Sequence, residues 1–244
     1  MISIIQALDL FDDCVSNDDV WRTASNVFKL HGSEWVTLGR TSSRGNSPPL
    51  LRTSVPEELM HAYIADNLSN DDPWISYSET GNKLRLLDIP SALNLPDKNP
   101  EARLSKVFNA FGIRSVMLLP QRTEESVGSV VLYAVTDEAS EYFKSQQGQV
   151  NLRILAAIFS GRYSITPAQL STKGVYNFGG ALSRREIETL QWLSSGMSTA
   201  QIAHEMEIAP VTVSKNLTSV KRKLKTSTRE ESLAVALRIG LLSR

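Results

Sequence analysis

The sequence predicts an α+β protein in which an N-terminal α-β-α sandwich with an antiparallel sheet is followed by an all-α domain of four short helices. Two observations predict this fold class. Residues 1–160 mix segments of helical apolar spacing with short runs rich in Val, Leu and aromatic residues. Residues 181–244 instead show a series of helix-start signals. The runs 114–120 and 127–135 lie at hairpin spacing, so we expect an antiparallel sheet covered by helices.

The N-terminal elements follow from apolar spacing and helix-starting residues. Helices are predicted over residues 4–15, 19–30, 56–68, 100–111 and 137–159. Strands are predicted over residues 34–38, 50–53, 84–87, 114–120 and 127–135. From residue 163 to 180 the chain becomes rich in Ser, Thr, Gly and Pro, which is typical of a linker. We therefore expect one domain over residues 1–162, a linker over 163–180 and a second domain over 181–244.

Bulk composition excludes several protein classes. The 244 residues are 41% hydrophobic and 21% charged, as in an ordinary globular protein. No apolar run approaches the roughly 18 residues of a membrane span, and the N-terminus has no basic leader, so we expect neither membrane association nor secretion. The single cysteine, Cys14, excludes an internal disulfide and suits a reducing compartment. These features together predict a cytoplasmic protein.

The net charge of zero conceals a difference between the two predicted domains. Residues 1–180 contain 16 Lys and Arg against 20 Asp and Glu, whereas residues 181–244 contain 10 against 6. The C-terminal part is therefore basic and the N-terminal part acidic. This asymmetry predicts that the C-terminal domain faces a polyanion.

Polar residues mark the helix boundaries in the predicted C-terminal domain. Three segments match a capping box, in which a hydroxyl and a later polar side chain bind free N–H groups: Ser183-x-x-Glu186, Ser198-x-x-Gln201 and Thr228-x-x-Glu231. Pro210 suits the first position of another helix, and Gly196 and Gly240 suit left-handed C-caps. The short helix after Ser198 and the tight turn over residues 207–209 then form a helix-turn-helix with the helix from Pro210.

The helix that begins at Pro210 is predicted to be buried on one side and basic on the other. The buried stripe at helical spacing consists of Val213, Leu217, Val220 and Leu224. The exposed candidates for DNA binding are Thr212, Ser214, Lys215, Thr218, Lys221, Arg222 and Lys225. A solvated amphipathic helix would show a similar pattern, but the preceding helix and turn favour insertion into the major groove of double-stranded DNA. The lysines and arginines near its end would contact phosphates.

Residues 182–242 contain a set of stretches that together form a specific pattern: Leu182-Ser-Arg-Arg-Glu186, Leu190-Gln-Trp192, Ser195-Gly196-Met-Ser, Gln201-Ile-Ala203, Val211-Thr-Val213, Lys223-Leu224, Arg229 and Ala236-Leu-Arg-Ile-Gly-Leu241. In these stretches the segment resembles the LuxR-type DNA-binding domain. The resemblance implies that the helix from Pro210 enters the major groove and that residues 229–239 help to pair two copies on an inverted repeat. Asn216 stands where the family often has His, and Thr228 stands where Asn is usual.

Residues 1–160 contain Tyr63, Asp72-Pro73 and Phe111-Gly-Ile-Arg-Ser115. In these positions the segment resembles the autoinducer-binding domain of quorum-sensing LuxR-type regulators. The resemblance implies a homodimer that buries a small hydrophobic signal such as an acyl-homoserine lactone, with Asp72 bonding its amide and Tyr63 a carbonyl. From the residues alone, Asp72-Pro73 also reads as a helix N-cap with Pro in the first turn, and Tyr63 as a packing residue.

Several pocket positions depart from the family pattern. Leu59 and the region of Leu87 lack the tryptophans expected there, and Val116 replaces a glycine. Trp35 and Trp74 are nearby in sequence. The candidate ligand-binding residues are Tyr63, Asp72, Leu59, Trp35 and Leu87. Losing an indole donor would leave a lactone carbonyl unpaired, so we expect altered or weakened lactone preference, or none.

Two alternatives to a signal-controlled regulator share the predicted fold. They are a ligand-independent regulator with a filled pocket and an anti-activator that acts through heterodimers. An enzyme is not expected, because the sequence shows no nucleophile elbow, phosphate loop or dinucleotide fingerprint. His31, His61 and His204 are scattered, and there is no cysteine pair, so neither a metal site nor a cofactor other than the signal is expected.

Overall fold

The computed structural model describes residues 2–42, 50–65, 68, 72–123, 126–164, 175–177, 182–224, 226–238 and 242. Helices cover both faces of an antiparallel sheet, and a helical domain follows it, which confirms the predicted fold class. The N-terminal helices are α1 (Ile4–Asp12), α2 (Asn17–Leu30), α3 (Glu57–Ala65), α4 (Pro73–Thr80), α5 (Ile89–Ala92), α6 (Pro100–Ala110), α7 (Asp137–Lys144) and α8 (Gln146–Arg162). Most of them begin where a Ser, Thr, Asp or Asn side chain caps the first turn.

The strands form one sheet in the order β3-β4-β5-β1-β2-β6, and every neighbouring pair is antiparallel. The strands are β1 (Trp35–Ser42), β2 (Leu50–Thr53), β3 (Arg85–Asp88), β4 (Ser115–Arg122), β5 (Ser126–Ala134) and β6 (Val175–Asn177). At the centre, β1 pairs with β5, which places Thr37 opposite Val131. Because β1 and β5 are far apart in the sequence, this pairing brings together side chains that no local sequence pattern connects.

Alternation along the strands divides the N-terminal core into two layers. On one face, Val36 and Leu38 of β1 are buried in a cluster with residues of α1, α2 and α8. On the other face, Leu87, Val116 and Tyr133 are buried in a cluster with residues of α3, α4, α5 and α6. We call this second face the inner face, because the predicted ligand residues lie on it.

Three features differ from the sequence prediction. The helix predicted over 137–159 is wrong as a single element, because Ser145 is extended (φ −70°, ψ 148°) and its hydroxyl caps α8 by accepting from the Gly148 N–H at 3.0 Å. The short helix α5 was not predicted, and α4 was anticipated only in the alternative reading of Asp72-Pro73 as a helix N-cap. Strand β6 was not predicted either, and it lies inside the segment interpreted as a linker, where it pairs with β2.

The C-terminal domain consists of α9 (Arg184–Ser194), α10 (Thr199–Glu205), α11 (Pro210–Leu224) and α12 (Arg229–Arg238). The first two capping boxes are confirmed in full. In the third, Thr228 Oγ1 accepts from the Glu231 N–H, but the Glu231 carboxylate accepts from Ser227 rather than from Thr228. Gly196 has φ +79°, as a left-handed C-cap requires, and Gly240 lies outside the described residues.

The described residues offer neither a helix that could span a membrane nor a cluster that could hold a metal ion. None of the helices there is both long enough and apolar enough to cross a membrane. The same residues contain no cluster of three or more His, Cys, Asp or Glu side chains placed to hold a metal ion.

Candidate ligand and DNA sites

A desolvated carboxylate lies at the edge of the inner face. Asp72 caps α4, where its Oδ1 accepts the Trp74 N–H at 2.8 Å, and its Oδ2 accepts the Tyr63 hydroxyl at 2.7 Å. Among the described residues no cation pairs with Asp72. Burial raises the pKa of Asp72, and the pKa of Tyr63 is raised by burial and by the adjacent carboxylate. The structure thus brings together the two polar residues that the sequence singled out.

A chain of buried hydroxyls lies next to this pair. Thr53 and Thr37 face each other across β2 and β1 with their Oγ1 atoms 2.6 Å apart, and Thr37 Oγ1 is 3.2 Å from the Tyr133 hydroxyl. Burial raises the pKa of Tyr133 to about 12, and the negative charge of Asp72 adds to the rise. Tyr133 therefore lies within electrostatic reach of Asp72. The inner face combines an apolar lining with a few polar groups, which is the chemistry of a small-molecule site.

The apolar candidates join the same cluster. Leu59 and Leu87 are 2% and 5% exposed and belong to the inner-face core. Trp35 is half-buried there, with its ring edge-on to Tyr133 at a centroid distance of 6.4 Å. Trp74 is a core residue whose indole N–H points to Glu101 Oε1 at 3.4 Å. Of the two nearby tryptophans, Trp35 is therefore the better candidate donor to a ligand.

The helix α11 has the predicted buried side. Val213, Leu217 and Val220 are buried in the C-terminal core with residues of α9, α10 and α12, and Leu224 is partly buried against it. This packing fixes the position of α11 relative to the short helix α10 and to the turn that joins the two helices. Glu207 in that turn has φ +52°, the left-handed conformation that reverses the chain between the two helices. The helix-turn-helix predicted from the sequence is therefore present.

The opposite side of α11 is open to solvent. Ser214, Lys215, Thr218 and Arg222 are exposed, and Thr212 and Lys221 are half-exposed. Among the described residues, Lys215, Lys221 and Arg222 have no ion-pair partner. Lys225, the remaining DNA-binding candidate, lies outside the described residues. An exposed row of cations without acidic neighbours on the same helix is suited to contact a polyanion.

One basic residue of α11 turns away from this surface. Lys223 Nζ is 2.8 Å from Glu186 Oε2, and the Glu186 side chain is 6% exposed. Burial alone would raise the pKa of Glu186, but hydrogen bonds from Lys223, Ser219 and the Ser183 N–H outweigh it and lower the pKa. This pair ties α11 to the first turn of α9. Lys223 is therefore half-buried against α9 and is not part of the basic surface.

Two family models match the chain. The autoinducer binding domain matches residues 16–161, and the model of bacterial regulatory proteins of the luxR family matches residues 180–236. The first match alone covers more than half of the chain. This chain belongs to the LuxR-type quorum-sensing regulators. LuxR-type regulators are DNA-binding proteins without enzymatic activity, so the prediction that the chain is not an enzyme is confirmed.

The relatives of this LuxR-type regulator match it along most of their length. The transcriptional activator protein RaiR of Rhizobium etli is 25% identical over 93% of the chain and 90% of its own length. The transcriptional activator protein LuxR of Aliivibrio fischeri is 21% identical over 97% and 93%. The crystal structure of Escherichia coli SdiA shares the fold with a TM-score of 0.50 at 16% identity, covering 99% of this chain and 98% of that one.

Sequence reasoning missed some residues of both candidate sites. Thr37, Thr53 and Tyr133 were not singled out, although Thr37 stands between the apolar residues Val36 and Leu38 and so occupies the alternate face of β1. Val211 was also missed as a site residue, although it lies off the buried stripe of α11. It is 60% exposed. An apolar residue at an exposed helical position was the available signal.

Proposed function

We propose that this LuxR-type regulator is a sequence-specific transcription regulator whose helix α11 binds promoter DNA under the control of a small amphiphilic signal. DNA binding is supported by the exposed row of cations on α11, since the opposite side of this helix buries Val213, Leu217 and Val220 in the core of the domain. In a helix-turn-helix, the second helix lies in the major groove, and its N-terminal residues contact base edges. Ser214, Lys215 and Thr218 would then read bases, whereas Lys221 and Arg222 would contact phosphates.

Salt dependence of DNA binding tests these roles. We expect Lys221→Ala and Arg222→Ala each to weaken binding to all duplexes and to lower the slope of log affinity against log salt by about one unit. Lys215→Ala and Thr218→Ala should instead change the preferred sequence. The matched control is Lys223→Gln, which should leave the salt slope unchanged because Lys223 is paired with Glu186. An unchanged slope in both Lys221 and Arg222 variants contradicts the phosphate assignment.

The proposal of a bound signal is supported by the residues of the inner face. Asp72 is a desolvated carboxylate without a cation among the described residues, so a donor from a ligand would lower the cost of its burial. An amide N–H supplies such a donor; by replacing the Tyr63 hydroxyl at Asp72 Oδ2, it would free the single Tyr63 proton, now donated to Asp72, for a ligand carbonyl. An acyl chain would contact apolar residues such as Leu59 and Leu87. An acyl-homoserine lactone or a related acyl amide has this combination of groups.

The preference among such signals should differ from that of relatives with tryptophan at the positions of Leu59 and Leu87. Neither leucine can donate to a ring carbonyl, and an unpaired buried carbonyl costs about 1–3 kcal/mol. We therefore expect an acyl amide without the lactone ring to bind within about tenfold of the matching lactone. Isothermal titration of both against the full chain measures this ratio. A lactone that binds more than a hundredfold tighter contradicts the expectation.

A ligand-independent regulator is the second candidate, because the polar groups of the inner face already bond each other: Tyr63 to Asp72, and Thr37 to Thr53 and Tyr133. Native mass spectrometry of the protein purified from its own host separates the two candidates. A co-purified small molecule that raises the melting temperature supports the signal-controlled regulator. A protein with no bound molecule and full DNA affinity supports the alternative.

We further propose a cytoplasmic homodimer that binds an inverted repeat. Val150 and Ile154, one turn apart on α8, are 46% and 41% exposed, and apolar residues at this spacing suit a helix–helix contact between copies. The family resemblance adds α12 as a second contact. Analytical ultracentrifugation of Val150→Glu with Ile154→Glu should show a shift toward monomer. An unchanged dimer excludes α8 as the main interface.

A further inference from the structure

Val211 is an apolar side chain on the basic surface of α11. It is 60% exposed, in contrast to Val213 two residues later, which is fully buried. Val211 does not belong to the C-terminal core cluster. It instead borders a shallow surface depression whose other lining residues are Ser214, Lys215, Thr218, Ser219 and Arg222. Val211 thus shares its surroundings with the residues that the proposed function assigns to DNA.

Helical spacing places Val211 at the N-terminal end of this surface. Lys215, Thr218 and Arg222 follow it at i+4, i+7 and i+11, so the four side chains form one stripe opposite the buried one. The N-terminal residues of a recognition helix are the ones that reach base edges in the major groove. A single exposed apolar residue elsewhere on a surface needs no explanation, but here its position coincides with the point of base contact.

The major groove offers one apolar group to such a side chain. Thymine carries a 5-methyl group there, whereas the edges of adenine, guanine and cytosine present only hydrogen-bond donors and acceptors. A valine has no donor or acceptor and cannot satisfy any of those polar edges. We propose that Val211 is a specificity-determining residue that contacts the 5-methyl group of a thymine in each half-site. This inference rests on the proposed role of α11 in DNA binding.

The test removes the methyl group from either partner. The full chain first selects duplexes from a randomised pool in dilute salt, and each thymine of the selected half-site is then replaced singly by uracil, which differs only in lacking the 5-methyl group. We expect one position at which uracil weakens binding about fourfold, the loss equivalent to one buried methylene-sized group. In Val211→Ala, thymine and uracil at this position should bind equally.

Controls distinguish the loss of the preference for thymine from unfolding and from a general loss of DNA affinity. Val211→Ala should keep the wild-type melting temperature, because the side chain is mostly exposed. The matched control is Val15→Ala, which removes a valine that is 93% exposed outside α11 and should retain the full preference for thymine. Retention of that preference by Val211→Ala, or equal binding of every uracil duplex by the wild type, overturns the inference while leaving DNA binding intact. Failure of the full chain to retain any duplex overturns both.

Discussion

Each domain contains a desolvated carboxylate, and the two are stabilised differently. Glu186 in the C-terminal domain accepts from the Lys223 ammonium at 2.8 Å and from the Ser183 N–H at 2.5 Å, and its pKa is lowered. Asp72 in the N-terminal domain accepts from the Tyr63 hydroxyl and the Trp74 N–H, with no cation among the described residues, and its pKa is raised. Hydrogen bonds from Lys223, Ser219 and Ser183 outweigh burial at Glu186, whereas burial outweighs the hydrogen bonds at Asp72.

This difference separates a structural carboxylate from a functional candidate. Glu186 contributes to the stability of its domain, because its charge is compensated inside the fold. Asp72 lowers stability at neutral pH, because the hydrogen bonds to its carboxylate do not outweigh the cost of burying the charge. Groups held at such a cost are typical of binding and catalytic sites, where a ligand supplies the missing partner. The comparison therefore favours Asp72 over Glu186 as a residue that acts on a ligand.

The largest expected effect is the loss of the compensated pair. We expect Glu186→Ala to lower the free energy of unfolding by about 3 kcal/mol, because it leaves the partly buried Lys223 and the Ser183 N–H without their acceptor. Urea unfolding of the full chain measures this change. The matched control on the same helix is Glu188→Ala, which breaks an exposed pair with Arg185 and should cost less than about 1 kcal/mol. Equal losses in the two variants contradict the structural role of Glu186.

A smaller effect of opposite sign is expected at Asp72. Asp72→Asn removes the charge and keeps Oδ1 as the acceptor of the Trp74 N–H, while its Nδ2 amide can donate to the Tyr63 hydroxyl oxygen, so the free energy of unfolding at pH 7 should rise by on the order of 1 kcal/mol. The same variant should lose the stabilisation that a bound signal gives to the wild type. Chemical unfolding with and without an acyl-homoserine lactone measures both. A variant less stable than the wild type contradicts the conclusion that the charge of Asp72 lowers stability.

The pH dependence of stability follows from the same two groups. The folded pKa of Asp72 is raised, so the folded state binds more protons than the unfolded state above pH 3.8, and this group lowers stability as pH rises through that window. The folded pKa of Glu186 is lowered, so its contribution is complete above pH 4.5 and is lost as pH falls through the folded pKa. Asp72→Asn should remove the first dependence and leave the second unchanged.

The comparison also explains how far the sequence could predict each site. In the C-terminal domain the signals are local: Ser183 and Glu186, or Ser198 and Gln201, lie within one helical turn, and the stripe from Val213 repeats along one helix. Such patterns depend on backbone geometry alone. The pairing of Glu186 with Lys223 joins two helices, and no local pattern contains it.

The inner face is assembled from distant segments, which is why its polar chain was missed. Thr37 meets Thr53 and Tyr133 because β1 pairs with both β2 and β5 in one register, and a shift of one residue would turn Thr37 to the other face. Asp72 and Tyr63 were found because a family motif marks them. The break at Ser145 is local, and Ser145 with Gly148 three residues later was an available cap signal.

His31 extends the comparison to the opposite face of the sheet. It is fully buried, with Nδ1 3.2 Å from the Tyr142 hydroxyl, and burial lowers its pKa. The unfolded state therefore binds more protons below about pH 6.5, so stability should fall as pH decreases from 6.5 toward the folded pKa. His31→Gln should flatten this part of the unfolding profile. His204→Gln, at an exposed position, is the control and should leave the slope unchanged.

The smallest expected effect concerns an acidic residue that is exposed and has no ion-pair partner among the described residues. Glu207 holds φ +52° in the turn before α11, a conformation that disfavours every residue with a Cβ. Glu207→Gly removes this strain but gives the unfolded chain more freedom, so the net gain in the free energy of unfolding should be about 0.5 kcal/mol. Glu205→Gly at the end of α10 should change stability in the opposite direction, because glycine is a poor helix former. A loss of stability in both variants would show that the Glu207 side chain, and not its backbone, supports the turn.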